Sequence, residues 1–197
     1  MKIILIALIA YLLGSFCASI PLSRRCCGGD VRLYGSGNAG ATNMARVYGL
    51  KAGLATLLLD MLKTVAAMLL GEYFMGGAGK AVAGAFCIIG HCFPLYFGFR
   101  GGKGVSVGAA LGLMTGLPVL GIIMAVFFAT AAISRKVSLG SVTAAVSLPL
   151  ASWLTLAGEE IIMMNAFSAA LVVFMHRGNI SRLIKGTEPD FHPKKTD

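Results

Sequence analysis

Residues 3–14 read IILIALIAYLLG, twelve positions without a charge, and the first basic pair after them is Arg24 and Arg25. A helix on the surface of a soluble core would carry polar residues along one face, because that face meets water. No face of this stretch is polar, which is the pattern of a helix surrounded by lipid. Comparable apolar runs recur at roughly 50–71, 79–97, 104–115, 118–133, 138–157 and 160–175, separated by short polar or glycine-containing links, which makes seven candidate spans. The runs at 104–115 and 118–133 fall short of the roughly 20 residues that cross a bilayer comfortably. They read as one long broken helix or two short tilted ones, and counts of five or six follow from merging or discarding them.

Composition agrees. The 197 residues are 57% hydrophobic and 13% charged, against roughly 25% charged in soluble domains, and mean hydropathy is +0.82. The expectation is an all-α, polytopic integral membrane protein whose residues 1–197 form one domain. Lys2, the apolar run and SFCAS have the outline of a signal peptide. Arg24 and Arg25 outweigh the lone Lys2, however, and favour a retained helix that ends on the cytoplasmic side.

The formal charge of +9 would suit nucleic acid if it formed one face, but the basic residues sit in small clusters at the ends of apolar runs. They read as topology signals, and no nucleic-acid partner is expected. With the first helix running outside to inside, Arg24, Arg25, Arg32, Arg46, Arg100, Lys103, Arg135, Lys136, Arg177, Arg182 and Lys185 all fall on the cytoplasmic side. Glu72, Lys80, Glu159 and Glu160 fall opposite. Seven spans, an external N-terminus and a cytoplasmic C-terminus satisfy this sorting. The tail at 189–197 carries Pro189 and Pro193 and is expected to fray. Cys17, Cys26, Cys27, Cys87 and Cys92 show neither CxxC nor zinc-ligand spacing and are expected to be free thiols.

Four polar segments share the cytoplasmic face in this arrangement: GSGNAGATNMAR (35–46), GHCFPLYFGFRGGKG (90–104), SRKVSLGS (134–141) and HRGNISRLIKGTE (176–188). Glycine-rich backbone exposes N–H groups that can surround an anion, and a following helix adds its positive end. In the first segment Ser36, Gly37, Asn38, Thr42 and Asn43 are candidate donors and Arg46 a guanidinium suited to phosphate. It is not a Walker loop, and although GSGNAG spells GxGxxG, no strand precedes it. The second segment offers Gly101, Gly102, Lys103 and Gly104 as another anion site. Ser138 and Ser141 stand a helical turn apart, and His176 and Asn179 lie where the last span leaves the membrane. Asp60 and Lys63 form an i,i+3 pair inside an apolar run, read as a structural strut. No carboxylate cluster suggests a metal site.

In order and spacing GSGNAGATNMAR, GHCFPLYFGFRGGKGVS and HRGNISRL with Gly186 and Glu188 resemble the three motif regions of the bacterial acyl-phosphate-dependent glycerol-3-phosphate acyltransferases, the PlsY family. DMLK (60–63) and SRKVSLGS also look like segments of that family, and the likeness runs from YLLGS to Glu188. The resemblance implies an acyltransferase of the bacterial inner membrane that moves a fatty acyl group from acyl phosphate to the sn-1 hydroxyl of glycerol 3-phosphate. The products would be lysophosphatidic acid and phosphate, the first acylation of phospholipid synthesis, with a functional link to the enzyme that makes acyl phosphate. It implies no cofactor.

The HxxxxD motif of other acyltransferases is missing: five residues after His91 stands Tyr96, and five after His176 stands Ser181. An activated donor needs no covalent intermediate, so Lys103, Arg46 and His176 are assigned to catalysis. Ser36, Gly37, Asn38, Thr42, Asn43, Gly101, Gly102, Gly104, Ser138, Ser141 and Asn179 are assigned to substrate binding. The proton acceptor is either His176 or a substrate phosphate. Ala39 departs from the branched apolar residue or proline common there in the family, and CASIPLSRRCCGG is richer in cysteine than expected. A transporter or channel for a small organic anion is the alternative reading, and a lipid-binding assembly protein a third.

Overall fold

The structure is a computed structural model and describes residues 1–26, 28–192 and 194. Cys27, Pro193 and residues 195–197 of the tail lie outside the described residues. Among those described, all regular structure is helical: α1 (Lys2–Ser15), α2 (Ser19–Cys26), α3 (Ala41–Tyr48), α4 (Leu50–Cys92), α5 (Val105–Thr115), α6 (Leu117–Ser134), α7 (Val137–Leu154), α8 (Glu159–Met175) and α9 (Arg177–Ile184), with 3₁₀ turns at Val31–Leu33 and Leu95–Phe97.

Hydrophobic residues that would be anomalous on a soluble protein face outward along these helices, among them Ile4 and Leu8 of α1, Leu58 and Leu62 of α4, Phe128 of α6 and Leu150 of α7. Such an exterior is stable only in lipid, where apolar surface gains nothing by being buried against protein. The helices therefore associate through close backbone approach. A Cβ on Gly14 would strike the Cys87 carbonyl, and one on Gly90 would strike the Tyr11 carbonyl, so α1 lies directly on the end of α4. Gly140 of α7 meets the Phe127 carbonyl of α6 in the same way.

By length and composition the helices divide differently from the seven apolar runs of the sequence. Four stretches are long and apolar enough to cross a bilayer, namely Lys2–Cys26, Leu50–Phe97, Leu117–Ser134 and Val137–Leu154, and a fifth arises if α8 and α9, bent by 59°, are taken together. The 11 residues of α5 rise about 16 Å, half of a hydrocarbon core of about 30 Å. The expected runs at 50–71 and 79–97 are arms of α4. Met75 (φ −146°, ψ 20°) and Gly76 (φ 58°, ψ −146°) leave the helical region, and a Cβ on Gly71 would collide with the Gly79 carbonyl. The two arms are thus folded back on each other around a break of two residues.

The main core joins α4 to α8 through Ile88, Val107, Leu111, Leu148 and Val172. At one end of the bundle lie the Lys80–Glu72 pair and Gly77 against Glu160. All four polar segments meet at the other end.

Candidate active site

Asn43 organises the first polar loop. Its buried amide donates from Nδ2 to the carbonyls of Val31 (3.1 Å), Tyr34 (3.0 Å) and Asn38 (3.0 Å), and Oδ1 accepts from Ser36 N (2.9 Å). Both ends of the amide are engaged within the loop, so Asn43 shapes the cradle and has no donor left for a ligand. Gly35 (φ 60°) and Gly37 (φ 70°) adopt left-handed backbone, where a Cβ is disfavoured. Ala39 is fully buried with Cys17 and Ile20, beside Phe97, and its carbonyl accepts from Ser19 Oγ (2.9 Å). Ser36 and Thr42 are exposed and Arg46 is half-buried.

The second loop is held to the first. Asn38 Nδ2 donates to Gly101 O (3.4 Å), and Arg32 Nη1 to Phe97 O (2.8 Å) and Arg100 O (3.3 Å). Asp30 fixes Arg32 at 2.9 Å and Arg24 at 2.8 Å. Hydrogen bonds from Arg32, helped by Arg24, hold the Asp30 carboxyl well below the usual range despite burial. Gly101 N donates to Cys92 O (3.2 Å) and Gly102 N to His91 O (3.1 Å), so these two N–H groups close the loop onto the end of α4. The two N–H groups expected to face an anion are here bonded to backbone carbonyls. Their lack of a Cβ serves packing, since side chains there would strike His91 and Pro94. Gly104 (φ 85°) is the N-cap of α5.

Lys103 emerges from this loop and donates to Asn179 Oδ1 (2.5 Å); Asn179 Nδ2 in turn donates to Glu188 Oε1 (2.7 Å). Arg182 pairs with Glu188 Oε2 at 2.7 Å. Lys136, preceding α7, donates to the Glu188 carbonyl and pairs with Asp190 at 2.7 Å, and Lys194 N donates to Ala45 O (3.2 Å). Residues of the tail expected to fray are therefore bonded to α7 and α3. Ser138 Oγ is buried and completes no hydrogen bond, yet it lies near enough to Glu188 to favour its charge. Burial opposes that charge, but Ser138, Asn179 and Arg182 outweigh it and keep the carboxyl low. Ser141 donates to Val137 O (2.9 Å) within α7.

Lys103 lies below the ordinary lysine range because it is buried, with the charges of Arg182 and Arg46 adding to the effect. His176 donates from Nδ1 to Val172 O (2.8 Å), which leaves Nε2 as the bare nitrogen. Burial above all lowers its pKa to about 4. Arg46 makes no ion pair or hydrogen bond among the described residues. Beneath the cations a largely apolar cavity runs between α5, α6, α7 and α8, lined by Val105, Gly108, Phe127, Ser141, Leu148 and Val172.

Sequence reasoning passed over Glu188, Arg182, Lys136 and Arg32 as site residues. Glu188 was the one with a signal, as a carboxylate inside a basic segment. The others look like membrane-edge anchors until the loops close. The arrangement collects cations and neutral donors at the mouth of a greasy cavity, which suits a phosphate head with an apolar tail.

The family described as glycerol-3-phosphate acyltransferase matches residues 4–186. A glycerol-3-phosphate acyltransferase of Thermoanaerobacter pseudethanolicus is 41% identical over 189 residues, covering 95% of each chain. One of Rhizobium etli is 44% identical over 184 residues, covering 92% of this chain and 88% of its own. Among solved structures, the glycerol 3-phosphate form of PlsY, an integral membrane glycerol 3-phosphate acyltransferase, superposes with a TM-score of 0.91 at 32% identity, over 98% of this chain and 96% of that one. The lysophosphatidic acid form of PlsY gives 0.89 at 31%, with the same coverage. The apolar helices, the three converging motifs and these likenesses together establish that the chain belongs to the PlsY family of integral membrane glycerol-3-phosphate acyltransferases, enzymes of phospholipid synthesis.

Proposed function

We propose that the chain transfers a fatty acyl group from acyl phosphate to the sn-1 hydroxyl of glycerol 3-phosphate at the cytoplasmic face of the bacterial inner membrane. The observation that carries this reading is the junction at Lys103, whose ammonium faces Asn179 while Val105 and Gly108, in the first turns of α5 just after it, line the apolar cavity. An acyl phosphate can place its headgroup at that junction and its tail in the cavity. Arg46, with no protein partner among the described residues, is positioned for a second phosphate, that of glycerol 3-phosphate. The orientation rests on the basic residues gathered at this end, with seven spans if both arms of α4 and the short α5 cross.

In the reaction the substrate hydroxyl oxygen bonds to the acyl carbon, the bond from that carbon to the phosphate oxygen breaks, and phosphate leaves with the bonding pair. Lys103 and the N-terminal N–H groups of α5 stabilise the charge gathering on oxygen. The hydroxyl proton goes to phosphate. A phosphate oxygen, with a second pKa of about 6, is a better acceptor than an imidazole whose pKa is about 4. His176 Nε2 then orients the hydroxyl by accepting its hydrogen bond, and Ser36, Gly37, Asn38, Thr42, Gly104, Ser138, Ser141 and Asn179 complete the walls. Asn43, Gly101 and Gly102 act as positioning residues.

The transporter reading is not favoured, because the polar residues named above gather at one end of the bundle. The test is phosphate release by purified protein given acyl phosphate and glycerol 3-phosphate. Turnover is expected with acyl phosphate and not with the corresponding acyl-CoA; no turnover by folded protein overturns the proposal.

A further inference from the structure

Below the site lies a buried polar cluster that the reaction does not use. Asp60, Lys63 and His91 are almost wholly enclosed, at a depth where ionisable groups are expensive. Lys63 Nζ stands 2.8 Å from Asp60 Oδ1, 3.0 Å from Gly14 O, 2.7 Å from Phe16 O and 3.1 Å from His91 Nδ1. The two carbonyls belong to the end of α1, where backbone oxygens lack helical donors and attract a cation. Asp60 balances the charge. The three hydrogens of Lys63 Nζ serve these four neighbours, and His91 Nδ1 also lies 3.7 Å from Asp60 Oδ1, so the ring is anchored in the cluster through its Nδ1 edge. The end of the ring bearing Nε2 lies against Gly102, the residue before Lys103, so closely that any Cβ on Gly102 would strike it. The His91 carbonyl meanwhile accepts from Gly102 N (3.1 Å) and from Cys17 Sγ (3.4 Å).

We infer that Asp60, Lys63 and His91 form a positioning relay: Lys63 pins the His91 ring to the end of α1, and the ring with its own carbonyl sets the height of Gly102 and hence of Lys103. The i,i+3 pair alone would only strengthen one helix. The contact to Gly102 across 11 residues of sequence makes it part of the site. That Lys103 acts on substrate rests on the function proposed above, so the test has one readout that needs no turnover.

That readout is hydrogen–deuterium exchange on purified protein. In His91→Ala and in Lys63→Met, exchange of the 93–104 peptide is expected to rise at least about tenfold while peptides from α7 and α8 keep their protection. Unchanged exchange in 93–104 overturns the relay, as does loss of protection everywhere, which marks a general scaffold. The second readout is a double-mutant cycle on acyl transfer. Gly102→Ala should lower kcat/KM at least about tenfold in the wild-type background and less than about twofold in His91→Ala, where the ring is gone. Additive losses overturn the inference. An inactive wild type counts against the proposed reaction and leaves the exchange result to decide the relay.

Discussion

At the scale of single residues, the two cations that differ in surroundings are expected to share a phenotype. Arg46 has no ion pair or hydrogen bond among the described residues and Lys103 is held by Asn179, yet in the proposed reaction both stabilise phosphate charge. Lys103→Ala and Arg46→Ala should each slow turnover by at least about tenfold, about 1.4 kcal/mol of transition-state stabilisation, with circular dichroism unchanged. Near-normal rates in either folded variant remove that residue from the catalytic set. His176 makes a second, pH-linked prediction. Its folded pKa of about 4 lies below the ordinary 6.5, so above pH 6.5 the residue is neutral in both states and takes nothing from stability. As pH falls from 6.5 towards 4 the unfolded chain takes up a proton that the fold refuses, and stability declines by up to about 3 kcal/mol. The thermal midpoint of His176→Asn should therefore fall less than wild type over this range; parallel curves would show that the imidazole titrates normally. The chemistry of these residue types was legible from sequence. Asn43 was not, because the three carbonyls it bonds converge only once the loop has closed, and a donor in a glycine-rich segment reads equally well as facing a ligand.

At the scale of elements, stability is concentrated where glycines let helices touch. Gly90→Leu would drive a side chain into the Tyr11 carbonyl and the Ser15 backbone, with no flexible neighbour to yield. Overpacking of this kind costs about 1–3 kcal/mol or more, and the variant should lose its cooperative thermal transition in detergent, whereas Gly121→Ala, with open space around it, should match wild type. Comparable midpoints for the two would refute backbone contact between α1 and α4. Helix positions were legible because long uncharged runs leave few alternatives in lipid. The break in α4 was legible only as a link between runs, since GEYFMGGAGK has no proline and its two charges, Glu72 and Lys80, stand at its edges and pair with each other. The identities of helix partners were hidden for a different reason: lipid-facing and protein-facing sides of these helices are equally apolar, so periodicity carries no direction.

At the scale of the whole molecule, the bundle is polarised. Cations and neutral polar groups crowd one end, while the other holds little more than Lys80, Glu72, Glu159 and Glu160. Cys26 is exposed at the crowded end and reports orientation. A membrane-impermeant thiol reagent should label Cys26 in inverted membrane vesicles and leave it unmodified in intact cells, with Cys27 replaced by Ser so that one thiol is read. Labelling from outside intact cells would reverse the topology and with it the cytoplasmic site. Loop charge made this polarity legible. The span count was less so, because an 11-residue helix and a two-residue hairpin fit no fixed ruler of length.

The Gly71–Gly79 contact across the Met75–Gly76 break also bears on how the chain reaches the bilayer. With only Glu72 and Lys80 as charges between the arms of α4, and those paired with each other, the first arm has little to anchor it on the far side while the second is still being made. The two are then expected to enter lipid as one preassembled pair, closed by a contact between glycines rather than separated by a translocated loop.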